Sequence, residues 1–507
     1  MADYNIIFFQ ILKFLILLEE NNVIFIQNMS KELTMIYQNE LVGRTEEIAK
    51  LKKIIDSPRA EFVAVFGRRR IGKTFLIKSL FRDKFAFYAT AVANMNFRGQ
   101  LQGFNNTLAR YFEGVHSANN WMDAFEDLRT CLETKPEGPK IIFLDELPWF
   151  DTARSNFVSA LEYFWNSWAS DQKDIKLIVC GSATSWLLNK VINSRGGLHN
   201  RVTHQIHLAP FTLAECKEYF AWRGFAFENR DIALCYMVMG GVPFYLSQME
   251  TGMSVAQNID NIFFKSGAEL FNEFHNLYAA LFKQSELHTQ IVSALAQKDK
   301  GLTRNELLKA LKIESSGIFS KTIEELESCD FIRTYTPFGK QKKDGLIQLV
   351  DFYTLFYFKF IKENKRRSET FWSSMQNSSV FSNWSGYSFE MLCLHHITQL
   401  KRALKIEGLQ SLPCSWSVNT ENGGAQIDLI LDRADNVLNL CEMKFTKKPF
   451  VIDNDYAKNL DEKMDLFREQ THTKKTLMWT LVSAESLKPN PYIGRIQNLV
   501  TLDDLFK

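Results

Sequence analysis

The stretch Gly67-Arg-Arg-Arg-Ile-Gly-Lys-Thr74, GRRRIGKT in one-letter code, follows the apolar run EFVAVF at 61–66 and precedes the run FLIKSLF at 75–81. It matches the pattern G-x-x-x-x-G-K-[ST], and a strand before it with a helix after it is the context that this pattern requires. The backbone amides of such a loop and the positive end of the following helix cradle phosphates. The stretch therefore predicts a nucleotide site in an α/β domain.

The loop supplies predicted contacts to ATP and to Mg²⁺. The Lys73 ammonium would neutralise the β- and γ-phosphate oxygens, and the Thr74 hydroxyl would ligate the metal. The alternative is a glycine-rich turn that binds no ligand. The predicted nucleotide contacts within the loop are Gly67, Arg68, Arg69, Arg70, Ile71, Gly72, Lys73 and Thr74.

A second motif, FLDE at 143–146, ends an apolar run in two carboxylates. In a phosphate-loop protein, Asp145 would lie near the Mg²⁺, and Glu146 would orient or deprotonate an attacking water. Alone, a strand that ends in Asp-Glu is more often a solvated sheet edge. Together with the loop, the motif favours ATP hydrolysis as well as ATP binding.

Two weaker candidates follow FLDE along the chain. In IVCGSATS at 178–185, the Ser182 or Thr184 hydroxyl would hydrogen-bond the γ-phosphate or the attacking water, unless these residues cap the helix that follows. Arg201 would contact the γ-phosphate of its own chain or of a neighbouring subunit in a homo-oligomer. A surface arginine without a ligand is an equal alternative.

Composition places the chain among soluble globular proteins. It has 507 residues, 46% of them hydrophobic and 23% charged, which suggests three or four domains and excludes a largely disordered chain. The formal net charge of +2 provides no global field toward nucleic acid or a membrane surface, so such binding would need a local patch. The eight cysteines form no CxxC pair, which argues against a disulfide framework or structural zinc and fits the cytoplasm.

The order of elements predicts an α/β multidomain protein. From 41 to 209, short apolar strands alternate with helices, as in a parallel sheet covered on both faces. Residues 210–285 are predicted to form a helical lid. Three short amphipathic helices and two strand-like runs at 286–365 predict a winged helix. Helix and strand alternate again over 366–507.

Residues 1–40 are expected to form an N-terminal extension. Its apolar run at 6–18 is interrupted by Gln10 and Lys13 and is too short to span a bilayer. It also lacks the basic region and cleavage site of a secretory signal. We expect a packing or interfacial helix, or an extension upstream of a true start at Met29, and no membrane association.

Several stretches together resemble the prokaryotic AAA-type ATPases of the archaeal-ATPase group, close to the signal-transduction ATPases with numerous domains. The resemblance implies an ATP site with Gly43 and Arg44 near the adenine, a lid whose Gly241 to Pro243 closes over the nucleotide, and a winged helix after the lid. The run Arg68 to Arg70 departs from the small residues that are usual there, and these side chains would add phosphate contacts or face a partner. The stretches are VGR at 42–44, GRRRIGKT, FLDE, IVCGSATSW, LAPFTLAE at 208–215 and GGVPFYL at 240–246.

The segment AQIDLILDRADNVLNLCEMKF at 425–445 contains two strand-like runs around a turn. A turn near Asp435 would set Asp428 opposite Glu442, and strand alternation puts Glu442 and Lys444 on one face. Two carboxylates and a lysine that converge in this way would hold Mg²⁺ against a scissile phosphate. The alternative is a cross-strand ion pair on an exposed sheet.

The helix-like stretch WSGYSFEMLCLHHI at 384–397 offers Glu390 as a further metal ligand. The ordered set of Glu390, Asp428, Glu442 and Lys444 resembles the PD-(D/E)xK nuclease superfamily, as in the nuclease-like domain that follows the winged helix in a subset of these ATPases. The resemblance implies a C-terminal PD-(D/E)xK nuclease-like domain that cleaves DNA, or a binding module of the same fold.

DNA is the expected macromolecular partner. In the predicted winged helix, the third helix SGIFSKTIEELESCDF is acidic and poor as a phosphate surface, whereas the turn GKQKKDG at 339–345 is better suited. A winged helix that serves only as a packing unit is the alternative.

Three hypotheses follow for the whole chain. The main one is an ATP-dependent protein that acts on DNA, with nucleotide state controlling the C-terminal site. The second is a nucleotide-controlled switch that binds DNA or protein without cutting. The third is a transcription regulator whose DNA binding would survive deletion of residues 366–507.

Overall fold

The computed structural model describes residues 41–507 except 194–197, 199, 283, 363–367 and 421–422. The predicted N-terminal extension, residues 1–40, therefore lies outside the described residues, as does part of the basic stretch at 362–370. Within the described residues, none of the helices is both long enough and apolar enough to cross a membrane.

The first unit is a five-stranded sheet with the strand order β2-β3-β4-β1-β5, in which all neighbouring strands are parallel. Every residue of β1 and β4 is buried, which explains why these strands are apolar except for Glu61 and Lys176 near their starts. The predicted α/β fold with a parallel-sheet phosphate-loop core is confirmed. The elements are α1 (Thr45–Ile55), β1 (Glu61–Phe66), α2 (Lys73–Phe81), β2 (Phe85–Thr90), α3 (Phe97–Tyr111), α4 (Trp121–Glu133), β3 (Lys140–Asp145), α5 (Phe157–Ser167), β4 (Ile175–Gly181), α6 (Thr184–Leu187) and β5 (His204–His207).

The middle of the chain is mostly helical, with one small antiparallel sheet of strand order β6-β8-β7. The sequence predicted two of these strands. The third, β6, was not predicted because its two residues are too few to show a strand periodicity. The elements are α7 (Leu213–Trp222), α8 (Asn229–Met239), α9 (Pro243–Leu246), α10 (Val255–Ile259), α11 (Glu273–Leu281), α12 (Glu286–Leu295), β6 (Leu302–Thr303), α13 (Arg304–Leu311), α14 (Gly317–Ser328), β7 (Ile332–Tyr335), β8 (Leu346–Leu349) and α15 (Phe352–Phe356).

The last part contains a mixed five-stranded sheet with the strand order β13-β12-β11-β10-β9. Strands β9, β10 and β11 are antiparallel, whereas β11, β12 and β13 are parallel. The elements are α16 (Phe371–Met375), α17 (Ser379–His395), α18 (Ile397–Ala403), β9 (Ser411–Thr420), β10 (Gly423–Arg433), β11 (Val437–Lys444), α19 (Asn454–Thr471), β12 (Thr476–Ser483) and β13 (Asn498–Thr501).

The two faces of this mixed sheet pack against different helices. Leu429 and Leu431 of β10 belong to the same apolar cluster as Leu392 of α17. Ile430, between them, belongs to another cluster with Leu460 of α19. The alternation places α17 and α19 on opposite sides of the sheet.

One apolar cluster joins most of the chain after residue 210. It runs from Phe211 to Leu505 and includes buried side chains of the predicted lid, the small antiparallel sheet, α17 and the mixed sheet. The predicted boundaries near 285 and 365 therefore do not separate independent cores in the described structure.

Candidate functional site

The phosphate loop is the turn between β1 and α2, and two glycines set its shape. Gly67 has a φ of 140°, and a Cβ there would lie 2.3 Å from the Leu208 carbonyl oxygen. Gly72 has a φ of 88° and immediately precedes α2. Side chains are disfavoured at both backbone conformations. The glycines of the motif are therefore required by backbone geometry.

Lys73 is the first residue of α2 and is buried within the loop. Its Nζ donates hydrogen bonds to the carbonyl oxygens of Gly67 and Arg68 at 2.9 and 2.8 Å. Burial lowers the pKa of this ammonium, while Cys180 and Glu146 act in the opposite direction. A lysine held inside a loop of this shape fits the phosphate chain of a nucleotide.

The Thr74 hydroxyl and the Asp145 carboxylate meet directly. Thr74 Oγ1 donates to Asp145 Oδ1 at 2.9 Å, and the buried Asp145 is the last residue of β3. Cys180 Sγ on the neighbouring strand β4 donates to the same oxygen at 2.7 Å. Hydroxyl and carboxylate oxygens are ligands that Mg²⁺ prefers, so this pair fits the metal of Mg²⁺–ATP.

Glu146 follows β3 with a φ of 49°, a left-handed conformation that is uncommon for a residue other than glycine. The Ser182 N–H and the Ser182 hydroxyl both donate to Glu146 Oε2, at 3.3 and 3.1 Å. Ser182 thus holds the carboxylate. Thr184 is fully buried, and α6 has Ala183 at its N-cap, so neither hydroxyl caps that helix.

The segment before α1 is fastened to the start of α7. The Arg44 N–H donates to Glu215 Oε1 at 2.8 Å, and the Arg44 guanidinium lies 4.7 Å from the Phe211 ring centroid. Gly43 has a φ of 67°, and a Cβ there would lie 2.9 Å from Glu215 Cγ. Glu215 also accepts from the Thr212 N–H in the capping box of α7. The edge at which the resemblance puts the adenine is built from both segments.

Three other predicted nucleotide contacts occupy different positions. Ile71 is buried in the apolar core beside the sheet. Pro243 begins α9, and the ring of the next residue, Phe244, lies 4.0 Å from the Arg70 guanidinium. Arg201 is exposed in the turn before β5. The segment predicted as a lid therefore contacts the phosphate loop through Phe244.

The three loop arginines differ in their contacts. Arg68 is buried, and its guanidinium pairs with the buried Asp351 carboxylate just before α15. Arg70 Nη2 lies 2.9 Å from Glu273 Oε2 on α11, and Arg69 is exposed. The side chains of Arg68 and Arg70 hold the loop against later helices. They therefore do not make the expected phosphate contacts in this structure, whereas their backbone amides remain part of the phosphate loop.

The predicted C-terminal residues line one cavity of about 680 Å³. Strands β10 and β11 are antiparallel, and Leu429 pairs with Cys441. The next position in the same register places Asp428 opposite Glu442. Lys444 Nζ lies 3.4 Å from Glu442 Oε2, so the two side chains share a face. Glu390 reaches the same cavity from α17. The structure thus brings Glu390 of α17 together with Asp428, Glu442 and Lys444 of two neighbouring strands.

Two cations surround the Glu442 carboxylate. Besides Lys444, Lys463 of α19 donates to Glu442 Oε1 at 2.6 Å. The Tyr456 hydroxyl, also on α19, donates to Oε2 at 3.3 Å. The sequence analysis did not identify Lys463. Its position on the amphipathic helix after the Glu-x-Lys strand is the only feature that could have pointed to it. Glu442 is therefore neutralised by protein cations in this arrangement.

Glu390 and Asp428, the other two predicted acids of the cavity, are both largely buried and lie near other carboxylates. Burial, followed by the Asp428 charge, raises the pKa of Glu390 to about 8. Burial also raises the pKa of Asp428, whose carboxylate accepts from the Gln426 side chain. Carboxylate oxygens suit Mg²⁺ in kind. Across the described chain, however, no three His, Cys, Asp or Glu side chains are spaced to hold a metal ion.

A smaller cavity of about 270 Å³ lies between the phosphate loop and α17. Arg68 of the loop and Met391 and His395 of α17 line it together. The His395 ring lies 5.0 Å from that of Phe352, which follows the partner of Arg68 in sequence. Glu390 lies on the same helix, so α17 lines both the cavity beside Arg68 and the C-terminal cavity.

An ion pair between His207 of β5 and Asp330, just after α14, is expected to be pH-sensitive. The atoms His207 Nε2 and Asp330 Oδ2 are 3.1 Å apart, with the side chains 40% and 35% exposed. Hydrogen bonding to Asp330 raises the pKa of His207. The ion pair therefore contributes its full stabilisation of the fold below about pH 6.5, and this contribution is lost as pH rises through the raised pKa of His207. We expect Asp330→Asn to lower the melting temperature more at pH 6 than at pH 8.5.

The effect should correspond to less than about 1 kcal/mol, because the pair is partly exposed. Asparagine is chosen since Asp330 has a φ of 59°, which asparagine tolerates. The exposed Asp171 gives the control Asp171→Asn, for which we expect no pH-dependent difference. Equal destabilisation by Asp330→Asn at both pH values would contradict the prediction.

Comparison with known proteins identifies the first part of the chain. Residues 41–249 match the family model described as the ATPase domain predominantly from Archaea. The uncharacterized protein MJECL04 of Methanocaldococcus jannaschii is 24% identical over 372 residues, which cover 72% of this chain and 79% of that protein. Residues 41–249 therefore form an ATPase domain of the phosphate-loop type. The family match ends ahead of the predicted winged helix and nuclease-like domain.

Two solved structures are similar to parts of this chain. The Walker-type ATPase PABY2304 of Pyrococcus abyssi is 16% identical with a TM-score of 0.47, over 63% of this chain and 96% of that one. The ORC2 protein of Aeropyrum pernix is 13% identical with a TM-score of 0.38, over 65% of this chain and 96% of that one.

Proposed function

We propose that this chain binds and hydrolyses ATP and acts on DNA, with its nucleotide state controlling a metal-dependent, nuclease-like site in its C-terminal part. The observation that carries this proposal is the position of α17. The helix contributes Glu390 to the C-terminal cavity and Met391 to the cavity that Arg68 of the phosphate loop also lines. A change at the loop therefore has a short physical route to the acids.

At the ATP site, each residue has a proposed role. Lys73 would bind the phosphates, and Thr74 and Asp145 would hold Mg²⁺, which when bound neutralises charge on the phosphate oxygens. Glu146, held by Ser182, would accept a proton from the attacking water. The adjacency of these side chains at the carboxyl edge of the parallel sheet supports hydrolysis.

At the C-terminal site, we propose that Glu390, Asp428 and Glu442 hold a divalent cation and that Lys444 stabilises charge on the scissile phosphate. Their convergence on one cavity supports this assignment. Two movements would be needed for this. The three carboxylates would have to come closer together, since no three acids of the described chain are spaced to hold a metal ion, and the Lys463 ammonium would have to leave Glu442 Oε1.

The segment 286–365 is proposed to act as a winged helix that contacts DNA. Its helices α12, α13 and α14 and its antiparallel sheet occur in the order that such a unit requires. The acidic α14 is a poor phosphate surface, so we assign the contact to the turn between β7 and β8, which carries Lys340 and Lys343.

A second candidate is a switch that binds DNA or protein without cleaving it. The pairing of Glu442 with two lysines favours this candidate, because a carboxylate neutralised by protein cations is less available to a metal. The two candidates differ in whether DNA is cut.

The deciding experiment is digestion of plasmid and linear DNA in Mg²⁺ or Mn²⁺, with and without ATP. We expect cleavage to fall at least about tenfold in Asp428→Ala, because a proposed metal ligand is lost. In Lys73→Ala, cleavage should no longer respond to ATP. The matched control is Asp435→Ala, at the exposed hairpin turn of the same strands.

ATP hydrolysis is measured in the same preparations by phosphate release. Hydrolysis without cleavage of either DNA would remove the nuclease assignment and leave the switch. Equal cleavage by wild type and Asp428→Ala would place any nuclease activity outside this cavity.

A further inference from the structure

The C-terminal cavity has walls from two parts of the chain. Glu390, Asp428, Glu442 and Lys444 come from α17 and the mixed sheet, whereas another part of the wall comes from the small antiparallel sheet and the loop before it. That part of the wall includes Arg333 and Tyr335 of β7 and, in the loop before β6, Lys300 and the acidic Asp299. It lies outside the residues that the sequence assigned to a site.

Arg333 is a half-buried cation without an acidic partner. Its Nε donates to Gln348 Oε1 at 2.9 Å, and its guanidinium lies 4.7 Å from the Tyr335 ring centroid. No carboxylate of the described residues forms an ion pair with it, and burial lowers the pKa of the guanidinium. Because burying an unpaired charge is costly, an arginine in this setting is suited to receive an anion from the cavity.

Lys300 is exposed to the same cavity, and the backbone around it is fixed. The Tyr335 hydroxyl donates to the Lys300 carbonyl oxygen at 2.9 Å. The next residue, Gly301, has a φ of 82°, and a Cβ there would lie 2.3 Å from the Ile347 carbonyl oxygen. The loop is thus held against β8 with the lysine at the cavity wall.

We propose that Arg333 and Lys300 form a phosphate-binding subsite that positions a single DNA strand in the cavity that holds Asp428 and Glu442. This inference rests on the proposed function, since it names the substrate form that the C-terminal site accepts. Arginine and lysine are the side chains that contact phosphodiester oxygens. A backbone phosphate bound there lies in the same cavity as Asp428 and Glu442.

The size of the cavity favours one strand over a duplex. Its volume of about 680 Å³ is within the range of pockets that enclose a small ligand. Duplex DNA instead requires an open surface that buries about 1,000–2,500 Å² of protein. A single-stranded end or a frayed terminus enters the cavity without such a surface.

The test is fluorescence anisotropy with a labelled single-stranded oligonucleotide and with its blunt duplex, in EDTA to prevent cleavage. We expect Arg333→Gln and Lys300→Gln each to weaken single-strand binding about tenfold and to lower the slope of log Kd against log salt by about one. Lys53→Gln, at an exposed position on α1 of the ATPase domain, is the control and should bind as wild type.

Thermal melting of each variant checks the fold. Lys300 is exposed and its side chain forms no ion pair within the described chain, so Lys300→Gln keeps the test valid if Arg333→Gln unfolds. Wild-type affinity and salt slope in both variants would overturn the subsite and leave the proposed function standing. Equal loss for strand and duplex would overturn the single-strand assignment. If the folded wild type binds neither DNA, the subsite and the proposed action on DNA both fail.

Discussion

Replacing Glu146 with glutamine is expected to lower ATP hydrolysis by about 10²- to 10⁴-fold while ATP binding is retained. Glutamine keeps the oxygen that accepts from the Ser182 N–H and hydroxyl, so the side chain stays in place. It cannot take a proton from the attacking water. Phosphate release measures hydrolysis, and displacement of a fluorescent ATP analogue measures binding.

The control for this variant is Glu137→Gln, an exposed glutamate in the same domain, which should hydrolyse ATP at the wild-type rate. Lys73→Ala should differ from Glu146→Gln by losing nucleotide binding as well. Rapid hydrolysis by Glu146→Gln would show that another group activates the water.

Replacing Asp351 with alanine is expected to destabilise the folded chain by roughly 3–5 kcal/mol, because it leaves the Arg68 guanidinium buried without its counter-ion. Arg68 and Asp351 are 2% and 1% exposed, so the guanidinium has little access to bulk water that could replace the carboxylate. Asp351 also accepts from the Thr354 N–H at 2.9 Å and caps α15. Urea denaturation followed by tryptophan fluorescence measures the loss.

Two further variants separate the charge from the cap. Asp351→Asn keeps the hydrogen bond to Thr354 and should still be strongly destabilised. The double variant Arg68→Met with Asp351→Ala should recover part of the loss, since no unpaired charge remains buried. The exposed pair of Arg129 and Glu133 gives the control Glu133→Ala, expected within about 1 kcal/mol of wild type. A loss in Asp351→Ala no larger than in that control would contradict the prediction.

The ATP-binding fold could be predicted from the sequence because its signals are local. The run GRRRIGKT carries its own glycines, and the neighbouring apolar strand and helix are continuous with it. FLDE can also be identified locally, because it ends an apolar strand. Short connections then bring Thr74 and Asp145 together at one edge of a parallel sheet.

The contacts between distant segments could not be predicted. Arg68 and Asp351 are 283 positions apart, and neither residue has a motif that points to the other. Arg333 reaches the C-terminal cavity only because the small antiparallel sheet packs beside the mixed sheet. Lys463 approaches Glu442 through the packing of α19 on that sheet. Such neighbours are set by tertiary packing, which periodicity and motif spacing do not encode.

Truncation at residue 365 is not expected to release a free-standing ATPase. The apolar cluster between Phe211 and Leu505 would be cut open, and the buried Phe352 would lose its neighbour His395 in α17. Failure of a shortened chain to bind DNA would then report misfolding rather than a missing recognition element. The C-terminal part is also not an interchangeable module, because a replacement must reproduce the surface that α17 presents to the rest of the chain. We therefore expect the ATP-binding and C-terminal parts of this protein to be inherited as one unit.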